Sequence, residues 1–170
     1  MTTEQTSHKR VLALDLGKAR IGVAVSDLLG WTAQPVGIIR TRLPQQAIAR
    51  IQELVREYEV ETIVLGMPYN MNGTEGSQAA WVRRFGERLS RAIKGPTLVY
   101  WDERLTTAAS DEILIESGMK SRKRKQHRDK IAAALILREY LETQRSFPAN
   151  RAAMETPAAD LSVTAEDQPP

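Results

Sequence analysis

Two apolar runs, Val11–Leu14 and Ile21–Val25, are separated by Asp15-Leu16-Gly17-Lys18-Ala19-Arg20. Runs of this length, rich in Val and Ile, read as strands. Gly17 permits a tight turn between them. The pair therefore reads as a β-hairpin whose first strand drives straight into Asp15 at its rim. An unpaired charge is costly to bury, so something must hold that carboxylate. A metal ion or a metal-bound phosphate would do so. A turn cap, paired with Lys18 or Arg20, would do so as well, and the segment alone leaves both readings open.

Along the chain the pattern continues in strands and then changes period. Thr32–Ile39 is a weaker third strand, and Pro35 within it points to a sheet edge. Ile48, Ile51, Leu54, Val55 and Tyr58 recur at helical spacing, ending near Glu59. Glu61–Gly66 returns to strand, buried on both faces by its consecutive apolar residues. Gly66–Gly73 reads as a loop from its Gly, Pro and Asn content. A second helix carries Trp81, Phe85, Leu89 and Ile93 on one stripe and stops at Gly95-Pro96. Leu98–Trp101 is a fifth strand. A third helix, capped by Thr106 or Thr107, runs to about Ser117 with Gly118 as its stop. The last helix starts near Arg128 and reaches about Gln144, and its Ala132-Ala133-Ala134 stretch lets a neighbour approach closely.

Three antiparallel strands followed by strands alternating with helices predict an α/β fold. It is a mixed five-stranded sheet flanked by helices, the layout of a ribonuclease H-like domain. The domain is expected over residues 10–145, between a disordered stretch at 1–9 and a disordered polar tail at 146–170.

Composition narrows the chemistry. Cysteine is absent and only His8 and His127 occur, so a hydrolytic metal site would have to be built from oxygen. That favours magnesium or manganese over zinc. Residues 1–10 lack an apolar signal core and no window approaches the ~20 apolar residues of a membrane span. The net charge of +3 hides an asymmetry: residues 146–170 carry −3, which leaves +6 on the rest. A basic body suits an anionic partner such as nucleic acid.

Three acids sit where elements end. Asp15 closes the first strand, Glu103 closes the fifth with Asp102 just before it, and Asp129 lies in the first turn of the last helix. If the first strand is central, these ends converge at one edge of the sheet. Two or three carboxylates around an open position suit magnesium. A pair of such ions about 4 Å apart would activate water and stabilise the leaving oxygen of a phosphodiester. Singly, each acid has a plainer reading, Glu103 pairing with Arg104 and Asp129 serving the helix dipole.

The run Lys120–Lys130, with Lys123, Arg124, Lys125 and Arg128, reads as a loop able to grip phosphates beside Asp129. Solvated surface is the plainer reading. Lys18, Arg20, Asn70, Asn72 and Arg104 are further candidates for nucleic-acid contact. Tyr69 and Trp31 are candidates for base stacking, although packing suits Trp31 better.

Four ordered blocks carry a family resemblance. Asp15-Leu16-Gly17-Lys18-Ala19-Arg20-Ile21-Gly22-Val23-Ala24 resembles the opening motif of the YqgF/RuvX family. Val64-Leu65-Gly66-Met67-Pro68 with Met71-Asn72-Gly73-Thr74-Glu75 is similar to its central loop. Asp102-Glu103-Arg104-Leu105-Thr106-Thr107 resembles its most recognisable block, and Asp129–Leu137 its last helix. The resemblance spans about residues 10–142. It implies a ribonuclease H-like fold related to Holliday-junction resolvases. It also implies a cytoplasmic nuclease that trims the 5′ end of precursor 16S rRNA, with Asp15, Glu103 and Asp129 as the metal-binding acids. Three other functions stay open: a resolvase acting on branched DNA, a non-catalytic RNA-binding factor, and an actin-like ATPase. The last is disfavoured because that fold needs two such domains.

Overall fold

The computed structural model describes residues 9–104 and 121–146, with 121–130 described as backbone alone. Five strands, β1 Arg10–Leu16, β2 Arg20–Ser26, β3 Ala33–Arg40, β4 Val60–Met67 and β5 Thr97–Asp102, form one sheet in the order β3-β2-β1-β4-β5. β1 pairs antiparallel with β2, and β2 with β3. β4 runs parallel to β1, and β5 to β4. This is the mixed ribonuclease H-like sheet expected, with β1 at its centre. Pro35 lies on the edge strand opposite Ala24, at a register shift between Val23 and Ala24, where a residue without an N–H is tolerated.

Helices α1 Pro44–Glu57, α2 Ser77–Ala92 and α3 Ser121–Ser146 cover both faces. Strand alternation divides the core in two. Leu12, Leu14, Ile63 and Leu65 face Ile51 and Leu54 of α1 and Val82, Phe85 and Leu89 of α2. Ala13, Ala24, Val64, Val99 and Trp101 face α3 through Ala133, Ile136, Leu137, Tyr140 and Leu141. Ala13, Ala24 and Ala133 are fully buried, the close approach that the alanine stretch anticipated. Asp15 follows Val11 and Ala13 on the α3 face.

The orientation of α3 is fixed at its far end. Arg145 Nη1 donates to Gly30 O at 2.8 Å, in the β2–β3 connection, at the sheet end opposite Asp15. The N-terminal half of α3 therefore points toward the Asp15 end.

One sequence reading needs correction and one strand end moves by a residue. The last helix begins at Ser121 rather than near Arg128, so Lys123, Arg124, Lys125 and Arg128 lie on helical backbone and not in a loop. Lys and Arg are good helix formers, and no Gly or Pro interrupts residues 121–146. β4 holds Gly66, the expected end of the strand and start of the loop, and continues to Met67, which the sequence placed in the loop, because the two pair with Trp101 and Asp102. α1 also starts earlier than its apolar stripe suggests, with Pro44 in its first turn. The expected third helix, Lys120, residues 1–8 and the tail from 147 lie outside the described residues.

Candidate active site

The parallel strands β1, β4 and β5 end at the same sheet edge. Leu14 is level with Leu65, and Gly66 with Trp101. Alternation then places Asp15, Gly66 and Glu103 on the face covered by α3. Glu103 lies just past β5, and its N–H donates to Met67 O at 3.1 Å, which extends the ladder. Two strands flanking a third are about 10 Å apart, so a side chain on β4 would keep Asp15 and Glu103 apart. Gly66 has none. A Cβ there would collide with Glu103 Oε1 and lie 2.7 Å from Ile136 Cδ1. Glu103 thus leans across the bare β4 backbone and hydrogen-bonds with Asp15.

Electrostatics follow from that geometry. Burial, then the Asp15 charge and the hydrogen bond with it, then Asp102, push the Glu103 carboxyl up to about 7. Burial is the larger cause and repulsion by the nearby acid the next.

The neighbouring acid is engaged elsewhere. Arg104 donates from Nε and its backbone N–H to Asp102 Oδ1, each at 3.0 Å, and from Nη2 to Oδ2 at 2.5 Å. This holds the Asp102 carboxyl below its usual range. Of the two adjacent acids, Glu103 is the one that faces Asp15.

The turn below Asp15 closes through backbone, Gly17 N–H to Arg20 O at 2.8 Å. A Cβ on Gly17 would lie 2.7 Å from that oxygen, so glycine is required there. Lys18 and Arg20 are exposed and, with Asp15, Gly17, Ala19, Gly22 and Ile38, line an open cleft of about 310 Å³. Gly22 is the cross-strand partner of Asp15 and adds no side chain to fill it.

Three other nucleic-acid candidates have intramolecular partners. Arg104 also reaches Asn70 O at 3.4 Å and Met71 O at 3.5 Å, and its guanidinium lies over the Tyr69 ring. Asn70 Nδ2 donates to Thr74 Oγ1, and Asn72 Oδ1 accepts from Thr74 N and Oγ1. These contacts brace the loop between β4 and α2. The side chains of Lys123, Arg124, Lys125, Arg128 and Asp129 lie outside the described part of the molecule. Position 129 falls one turn before buried Ala133, in the half of α3 that points toward Asp15. Trp31 is exposed under the Arg145 guanidinium rather than packed in the core.

Gly66 is the site residue that the sequence reading missed as such. Its signal was a glycine ending an apolar strand, which often marks close approach of another group.

Known proteins place this site in context. A 46% identical protein from Heliobacterium modesticaldum, aligned over 86% of this chain and 98% of its own length, is named "Putative pre-16S rRNA nuclease". A protein from Agathobacter rectalis with the same name is 48% identical over 78% of this chain and 94% of its own. Among solved structures, T. thermophilus RuvC in complex with a Holliday junction substrate aligns with 15% identity and a TM-score of 0.49, over 81% of this chain and 96% of that one. The family model for RuvX, described as Holliday junction resolvase, matches residues 9–143. With that match, and with relatives of nearly half-identical sequence over most of their length, the chain belongs to the RuvX family.

Proposed function

We propose that this protein is a metal-dependent endonuclease that hydrolyses phosphodiester bonds in RNA, acting at the 5′ end of precursor 16S rRNA. The observation that carries the chemistry is the Asp15–Glu103 pair, held together across Gly66 with the Glu103 carboxyl pushed up to about 7. Two carboxyls brought from separate strands into one part-buried spot form an oxygen donor set. Such a set suits a hard divalent cation, magnesium or manganese. Asp15 and Glu103 would hold that ion, with Asp129 joining them from α3. When bound, it would supply an activated water and charge stabilisation at the leaving oxygen. Lys18 and Arg20 at the cleft rim would hold phosphates beside Asp15, and Lys123, Arg124, Lys125 and Arg128 would extend that grip along the first turns of α3.

The names of the curated relatives support precursor rRNA as substrate. The family description supports a second reading, a four-way DNA junction. Acting on precursor rRNA would put the protein in the cytoplasm; among the described residues no helix is long and apolar enough to cross a membrane.

The test is incubation of the pure protein with ribosome-bound precursor RNA and, separately, a synthetic four-way DNA junction. Each is run with magnesium, manganese or chelator. The proposal expects shortening of the RNA 5′ end that requires metal and Asp15. Cleavage of the junction alone would favour the DNA reading. Full RNA processing by a folded Asp15→Asn variant would remove Asp15 from the mechanism, and RNA binding without cleavage under any metal would favour a non-catalytic RNA-binding factor.

A further inference from the structure

Met71 is 91% exposed at the apex of the loop between β4 and α2. Single exposed hydrophobes are ordinary; the support beneath this one is not. Asn70 N–H donates to Thr74 O at 2.9 Å and Gly73 N–H to Asn70 O at 2.8 Å. Tyr69 bridges to Glu75 in the antiparallel sense, and Gly73 takes a φ of 82° that a side chain would resist. The side-chain amides of Asn70 and Asn72 are tied to Thr74. From below, Arg104 holds the carbonyls of Asn70 and Met71.

A flexible apolar side chain on a loose loop would fold back onto the surface. Here the backbone bonds hold Met71 out in water. The Arg104 side chain links the loop to the acid pair, because Arg104 directly follows Glu103. Charge around the apex does not oppose a polyanion. Residues 69–74 carry no charged side chain. The flanking acids are compensated, Glu75 by Arg83 and Asp102 by Arg104. Among the described residues, a polyanion therefore meets no unpaired carboxylate beside the apex.

We propose that Met71 is a wedge that inserts between stacked bases of the RNA next to the bond to be cut. Apolar side chains, Met among them, open base steps in this way and bend the strand. The polarizable thioether suits an aromatic face. Unstacking one step would free the phosphate beside it to enter the cleft at Asp15. The inference rests on the nuclease reading of the Asp15–Glu103 pair, and makes Met71 a positioning residue for its substrate.

The experiment uses the full chain and an RNA hairpin with a single-stranded 5′ extension. 2-Aminopurine is placed in turn at each position across the junction, with fluorescein at the 3′ end. Binding is followed by anisotropy in chelator, and unstacking by 2-aminopurine emission. Wild type should raise the emission at one position. Met71→Ala should bind within about tenfold of wild type, since phosphate contacts dominate affinity, and lose that rise, while Met71→Leu should keep it. With metal, kcat of Met71→Ala should fall at least about tenfold with little change in KM, and an abasic site at the responsive position should restore it. An equal rise with Met71→Ala, or binding by wild type with no rise anywhere, overturns the wedge. Binding and unstacking without cleavage under any metal would overturn the nuclease reading and leave the wedge standing. Absence of RNA binding overturns both, and would turn attention to a protein partner for Met71.

Discussion

Gly66→Ala adds one methyl group where the structure leaves no room. The new Cβ would overlap Glu103 Oε1 and lie 3.0 Å from Glu103 Cδ and 2.7 Å from Ile136 Cδ1. Ile136 is buried between α3 and the sheet, so it can give only slightly, and the Glu103 carboxyl, at the free end of its side chain, makes the larger move. The backbone itself accepts alanine, because Gly66 is not among the residues with positive φ. Reduced freedom of the unfolded chain returns about 0.4–1 kcal/mol, against about 1–3 kcal/mol for the crowding. The net cost, at most about 2–3 kcal/mol, leaves a protein of ordinary stability folded. Catalysis should suffer far more, since displacing a reacting group by an ångström costs on the order of 10²-fold in rate. The assay pairs thermal unfolding with metal-dependent cleavage, and the expected result is a folded variant of greatly reduced kcat. A folded Gly66→Ala enzyme with cleavage within about tenfold of wild type would refute the idea that the bare strand position assembles the site.

Asp15→Asn should lower cleavage by about two orders of magnitude with the fold retained, and a folded variant with near-normal cleavage would remove Asp15 from the mechanism. Replacing Lys123, Arg124 and Lys125 together by Gln should reduce the slope of log K against log salt by about 2–3, at roughly 0.7–0.9 per lost phosphate contact; an unchanged slope would make the run solvated surface. Metal-free stability should fall as pH rises from 4.5 to about 7, because over that window native Glu103 keeps a proton that the unfolded chain has released. The loss is at most about 3.5 kcal/mol, because each pH unit across that window is worth about 1.4 kcal/mol. It levels off above that range, and Glu103→Gln should abolish it. A wild-type profile that matches Glu103→Gln in denaturant titrations would contradict the raised Glu103.

Sheet order was legible because each strand announced itself locally. The Val- and Ile-rich hairpin fixed the antiparallel start, Pro35 marked the edge, and the alternation of strands with helices required parallel additions beside β1. Legible too was the convergence of Asp15 and Glu103, since ends of neighbouring parallel strands share one sheet edge. The role of Gly66 was not. Its turn propensity is a local signal, whereas the ladder with Trp101 and the crowding by Glu103 are contacts between distant segments. The start of α3 was misplaced for a related reason. The basic run lacks apolar periodicity, so the visible stripe began late, although its Lys and Arg residues propagate a helix well. Nor did the sequence separate Asp102 from Glu103. That distinction depends on Arg104 bending back to its second neighbour, and alternation then leaves Glu103 to face Asp15.

The central claim is that Asp15 and Glu103 form one cation-holding pair. Carboxyl ¹³C NMR measures it most directly, with the Glu103 signal assigned by comparison with Glu103→Gln. In the metal-free protein Glu103 should titrate near 7. Saturating magnesium should move the midpoint down, because the bound ion favours the charged carboxylate, and Asp15→Asn should blunt that response. A Glu103 signal that titrates in the ordinary glutamate range and ignores magnesium would contradict the account.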